Sequence, residues 1–172
     1  LPERAFISLG SNIEPERYLP LAVNRLKALG NVVAVSRVYQ NPAVGDSPQP
    51  DFLNAAVLLE TDLSLVDLRR CLRVIEDSLG RVRTEDKYAP RTIDLDLCLY
   101  GNTFSETREQ TLPDPDILTR AHLAVPLAEL APDLHHPLIG DPLRDIAERL
   151  RPQSRLVPRA DVLLPGTAEE NH

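Results

Sequence analysis

Residues 92–100 read Thr92-Ile93-Asp94-Leu95-Asp96-Leu97-Cys98-Leu99-Tyr100, and their alternation predicts a β-strand. Side chains two apart share a face, so Ile93, Leu95, Leu97 and Leu99 form one apolar row. Thr92, Asp94, Asp96 and Cys98 form the other. The two carboxylates then stand about 6.6–6.8 Å apart along the strand. Acids so close repel and lower strand propensity. Either that face is solvated or a divalent cation compensates the charge, since Mg²⁺ takes one or two carboxylates plus phosphate oxygens. The pair alone leaves both readings open.

Before it lies an eleven-residue loop, 81–91, carrying Arg81, Arg83, Lys87 and Arg91 against Glu85 and Asp86. Its local charge is +2, whereas the 172-residue chain totals −7, so the remainder carries −9. A cationic loop leading into paired carboxylates suits phosphoryl transfer, where metal and guanidinium groups stabilise the charge developing on phosphate oxygens. Ser64 caps a helix ahead of this loop, with the stripe Leu65, Leu68, Leu72, Ile75 and Leu79, and Gly80 ends it. Residues 52–60 predict a strand, 41–50 a Pro/Gly-rich loop, 32–39 a strand and 5–9 another. Between the last two, Leu19, Ala22, Leu26 and Leu29 mark a helix closed by Gly30. Pro20 is expected in its first turn, where the missing N–H is harmless. Strand, helix, strand, strand, helix, strand is the ferredoxin-like split βαβ pattern: an α+β fold with an antiparallel sheet and both helices on one face. Beyond it, 101–119 reads as a polar loop, 120–130 and 142–151 as further helices. One domain is expected over 1–151, with the tail 152–172, Pro-containing and polar around a small apolar patch at Val162-Leu163-Leu164, docked on it.

Composition narrows the function. An excess of 26 acidic over 19 basic residues argues against a nucleic-acid partner. Only Lys27 and Lys87 are lysines, so 17 of the 19 are arginines. Arginine suits bidentate phosphate recognition, although a GC-rich genome produces the same total. No stretch approaches a membrane span. Cys71 and Cys98 lack zinc-ligand spacing and read as reduced thiols of a cytoplasmic, most simply monomeric, protein. GxxxxGK[ST], GxGxxG and GxSxG are all absent, which excludes P-loop, dinucleotide-binding and serine-hydrolase signatures.

Arg81-Val82-Arg83 followed by Tyr88-Ala89-Pro90-Arg91-Thr92-Ile93-Asp94-Leu95-Asp96 resembles the signature of the 6-hydroxymethyl-7,8-dihydropterin pyrophosphokinase family. Gly10-Ser11-Asn12, Gln49-Pro50-Asp51-Phe52-Leu53-Asn54, Ile75-Glu76, and Arg120 with Val125-Pro126-Leu127 match in the same order. The resemblance covers roughly residues 4–150. It implies transfer of diphosphate from ATP to the hydroxymethyl group of a reduced pterin, releasing AMP, in folate biosynthesis. It further implies two Mg²⁺ ions on Asp94 and Asp96, and Arg81 and Arg91 closing on the phosphates. Arg83 and Arg120 would bind the nucleotide, with Phe52 stacking on the pterin and Asn54 reading its polar edge. Loops 41–50 and 81–91 would close over the substrates. Asn41, Tyr88, Ala89, Asp114 and His122 depart from the pattern, which has Thr, Trp, Gly, His and Phe there. The alternatives they raise are binding without turnover, or a different pterin alcohol.

Overall fold

A computed structural model of the chain describes residues 1–43, 45 and 48–167. Residues 44, 46 and 47 of the expected loop 41–50, and 168–172 of the tail, lie outside the described ones. Strands β1 (Glu3–Ser11), β2 (Asn31–Val35), β3 (Tyr39–Asn41), β4 (Phe52–Thr61) and β5 (Asp94–Tyr100) build one sheet, completed by β8 (Val157–Pro158). Their order is β5–β1–β4–β3–β8, with β2 also on β4, and every pairing is antiparallel. This is the expected α+β, ferredoxin-like core. A separate hairpin, β6 (Ser105–Glu106) with β7 (Thr111–Leu112), and a 3₁₀ turn at Pro115–Leu118 organise the stretch read as a polar loop.

Alternation along the strands divides the apolar residues between two cores. Ala5, Ile7 and Leu9 of β1, with Leu95 and Leu97 of β5, face helices α1 (Pro15–Leu26) and α2 (Leu65–Ser78). Phe6, Ala56 and Leu58 face the other way, under α3 (Ala121–Leu130) and α4 (Leu143–Leu150). The first two helices do share one face, and the C-terminal pair covers most of the second. The tail also reaches the first core: Val162 and Leu164 are buried there. Cys98 is buried and Cys71 half-buried, both as free thiols.

Three details differ from the sequence reading. Leu99 does not join Leu95 and Leu97: the β1–β5 register shifts between Phe6 and Ile7, leaving Cys98 as an extra residue. That bulge turns Leu99 into the second core. The expected strand 32–39 is broken at Ser36, whose Oγ accepts from Ala56 N (2.8 Å) in place of a ladder carbonyl. Pro20 lies in the second turn of α1, because Pro15 rather than Pro20 occupies the helix start. The carbonyl of Glu16 therefore forgoes the usual bond from position 20.

Candidate active site

The register of three strands assembles the floor. Gly10 stands opposite Asn54 on one side and Asp94 on the other, and Ser8 opposite Asp96. These positions share the face of Phe6 and Ala56, at the end of the sheet where α3 begins. An added Cβ on Gly10 would meet Asn54 Nδ2 at 3.0 Å and the Phe52 ring at 3.7 Å. Glycine keeps this floor open. Above it is a cleft of about 400 Å³ whose walls include Asn41, Phe52, Tyr88, Arg91, Arg120 and His122. Asn41 and Asn54 each retain a buried Oδ1 with no hydrogen-bond partner. Two unsatisfied acceptors call for a ligand edge rich in N–H donors.

A second cleft, about 680 Å³, follows the outer edge of β5 beside α2, where Arg69, Arg73, Arg81 and Arg83 line it. The two clefts share Asp94 and Asp96. Arg120, expected with Arg83, instead lines the first cleft. The remaining sequence-predicted residues meet around the shared carboxylates: Phe52, Asn54 and Arg91 on one side, Arg81 and Arg83 on the other.

Asp94 is ion-paired to Arg81 (3.3 Å) and Arg91 (3.4 Å). Arg81 also donates to Ile93 O (2.7 Å) and to Glu76 (3.3 Å). Glu76 holds Arg83 at 2.7 Å as well and accepts from Leu95 N (2.9 Å), and Arg83 pairs with Asp77. Burial pushes the Glu76 carboxyl above its ordinary range. The Leu95 N–H opposes that shift, Asp94 adds to it, and the two arginines lower it. Among the described residues Asp96 has no ion pair. It is open to cleft water yet crowded by protein, and this desolvation, with Asp94, Asp114 and Glu76 nearby, holds its carboxyl well above the usual range. Of the described residues, no group of three or more His, Cys, Asp or Glu side chains is arranged to hold a metal. Asp94 and Asp96 offer hard oxygen donors where the two clefts meet, Asp94 shared with Arg81 and Arg91 and Asp96 without an ion pair among the described residues. That fits Mg²⁺ completed by phosphate oxygens and water, and it does not fit a closed protein cage.

Asn12, quoted above without a role, ties the surrounding loops together. Its Nδ2 donates to Gln49 Oε1 (2.7 Å) and Pro50 O (3.1 Å), and its Oδ1 accepts from Arg91 N (2.9 Å). Gln49 Nε2 donates onward to Tyr88 O (2.7 Å). One buried amide thus links both loops to the end of β1. Of the departures, Asp114 caps the 3₁₀ turn by accepting from Asp116 N (2.9 Å). Burial, with Arg120 second, lowers the His122 pKa, leaving a neutral ring on the cleft wall near pH 7.

Arginines, paired carboxylates and a donor-seeking cleft on a ferredoxin-like sheet are the equipment of metal-assisted chemistry on polyphosphates. Residues 6–132 match the model of the 7,8-dihydro-6-hydroxymethylpterin-pyrophosphokinase (HPPK) family, and the chain belongs to that family. It is 39% identical over 133 residues to the 2-amino-4-hydroxy-6-hydroxymethyldihydropteridine pyrophosphokinase of Haemophilus influenzae, covering 76% of this chain and 82% of the relative. The protein of the same name from Methylorubrum extorquens is 40% identical over 152 residues, covering 87% and 94%. The fold also resembles the wild-type Plasmodium falciparum HPPK-DHPS crystal structure, with a TM-score of 0.67 at 11% identity. That match covers 87% of this chain and 45% of the longer one, and it speaks for the fold alone. Among the described residues no helix is long and apolar enough to cross a membrane.

Proposed function

We propose that this chain transfers the terminal diphosphate of ATP to 6-hydroxymethyl-7,8-dihydropterin, giving AMP and the pterin diphosphate, as a step in folate synthesis. The observation that carries this reading is the pair of clefts meeting at Asp94 and Asp96. Pterin and triphosphate can enter from opposite sides and react at the shared carboxylates. Phe52 stacks on the pterin ring, while Asn54 Oδ1 accepts from its amino-pyrimidinone edge. The hydroxymethyl oxygen attacks the β-phosphorus, the bond from that phosphorus to the α,β-bridging oxygen breaks, and the alcohol proton passes to water. Asp94 and Asp96 would hold the metal, two Mg²⁺ ions in the full complex. Bound there, it would supply charge neutralisation for the phosphoryl transfer.

Arg81 and Arg91, paired with Asp94 in the free chain, would bind the phosphates. Arg83 holds the nucleotide in the second cleft, and Arg120 reaches the phosphates from the pterin side. Catalysis is then positioning plus electrostatics, without a covalent intermediate. The same reading takes the chain as a cytoplasmic monomer with one domain over 1–151. Its test is AMP release from ATP, Mg²⁺ and 6-hydroxymethyl-7,8-dihydropterin by the native chain and by Asp96→Asn. The native chain should turn over, and Asp96→Asn should lose at least about 10³-fold without a drop in melting temperature. Retained activity in Asp96→Asn removes that carboxylate from the reaction.

A further inference from the structure

We infer that the C-terminal strap, residues 157–164, is a working part of the pterin-side wall, with Arg159 as a positioning residue for the first cleft. The inference rests on the reading of that cleft as the pterin site. It concerns residues beyond the family match, which ends at residue 132.

The wall of the first cleft depends on a very short strand. β3 has three residues, and its partners on β4 are cleft residues or their neighbours: Asn41 faces Phe52, Gln40 faces Leu53 and Tyr39 faces Asn54. On its other edge β3 has only β8, through Tyr39 with Pro158 and Gln40 with Val157. A three-residue strand held on one side alone is at the low end of strand stability and prone to local opening. The strap makes it an interior strand. Pro158 suits this place, since an outermost strand tolerates a missing N–H.

Side chains then carry the connection to the cleft. Arg159 N donates to Val38 O (2.9 Å), fixing the strap where β3 begins. The Arg159 guanidinium donates to Gln40 Oε1 (2.8 Å) and in a fork to both Asp161 oxygens (2.9 and 2.8 Å). Gln40 Nε2 donates to Asp51 Oδ2 (2.9 Å), the residue before Phe52. Hydrogen bonds therefore run from the tail across β3 to the side chain of Asp51, which precedes Phe52 in the chain. Arg159 also approaches Glu16 on α1 at 3.6 Å, and Val162 and Leu164 pin the strap into the first core. A tail serving only to seal that core would need Val162 and Leu164 but not the Arg159–Gln40–Asp51 relay.

The test uses the full chain and 6-hydroxymethylpterin as probe, titrated calorimetrically with Mg²⁺ and α,β-methylene-ATP present. Nucleotide affinity is measured separately. Arg159→Ala and Gln40→Ala should each weaken pterin binding about 3- to 10-fold. The double variant should be little worse than the weaker single one, because both break one relay. Nucleotide affinity should stay within twofold, and Arg159→Lys, which keeps one donor for Gln40, should recover part of the loss. Pterin affinity within twofold of native in both single variants overturns the inference, as do additive losses or an equal fall in nucleotide affinity. A native chain that fails to bind the pterin refutes the site reading itself and this inference with it. The unmutated control tells that failure apart from the others.

Discussion

Replacing Glu76 should separate stability from binding. Its Oε2 accepts from Leu95 N and Arg81, and its Oε1 from Arg83. Burial nevertheless raises its pKa. A carboxyl whose folded pKa exceeds its unfolded value, about 4.3, stabilises the fold below that value and loses the contribution as pH rises through the folded pKa. At neutral pH the ionised group therefore opposes folding on balance. Glu76→Gln removes the charge yet keeps an oxygen for Leu95 N, while Arg81 keeps Ile93 O and Asp94 and Arg83 keeps Asp77, so its stability should lie within about 1 kcal/mol of native. Glu76→Ala strands a buried N–H, worth about 1–3 kcal/mol, and loses packing besides. A loss of about 3 kcal/mol should lower the melting temperature by about 6–12 °C for a chain of this size. In both variants Arg81 and Arg83 lose a charge-assisted bond that orients them. A misalignment of about 1.4 kcal/mol makes ATP binding about tenfold weaker. Thermal unfolding and calorimetric titration of ATP with Mg²⁺ read the two effects. A Gln variant as unstable as the Ala variant, or native ATP affinity in either, would refute the reasoning.

Gly10→Ala places a methyl group 3.0 Å from Asn54 Nδ2, so pterin affinity should fall several-fold while the melting temperature moves by less than about 3 °C. His136 is buried, and its Nδ1 accepts from Leu138 N (3.1 Å). Its pKa is lowered by burial, so the unfolded chain takes up the proton first as pH falls below about 6.5, and stability is lost there. Against His136→Asn, which cannot titrate, the native chain should lose up to about 1.4 kcal/mol per pH unit below that point. Parallel denaturation curves at pH 7 and pH 5.5 would contradict it. Asn12→Ala breaks the link between both loops and β1, and should raise amide exchange at Gln49, Tyr88, Ala89 and Arg91, with a weaker effect on the sheet. Unchanged exchange would show that the loops hold without it.

The sequence made the carboxylate strand readable because period-2 alternation holds from Asp94 to Leu97. It fails at Leu99, where a bulge opposite Phe6 and Ile7 inserts Cys98, and pairing of that kind leaves no mark on one strand alone. The second layer was hidden for a related reason. Positions 123–128 of α3 are buried all round, so there is no polar face to give a helical stripe and show which surface it covers. Ser64 and Gly80 marked the ends of α2 by local rules, and both stand where expected. Pro20 misled because the rule placing proline in the first turn applied equally to Pro15. In the site, residue types disclosed the arginines and aspartates. The carboxylate orienting two of those arginines, Glu76, belongs to a helix that reads as ordinary amphipathic sequence. Asn12 and Gln49 gain meaning only once 37 positions of chain fold back to join them.

The central claim is that two phosphates move together to an alcohol at Asp94 and Asp96. Phosphorus NMR of the native chain with ATP, Mg²⁺ and 6-hydroxymethyl-7,8-dihydropterin follows this directly. The account predicts AMP and a pterin diphosphate ester appearing in equal amounts as ATP disappears. Formation of ADP, or unchanged ATP with all three components present, would contradict it.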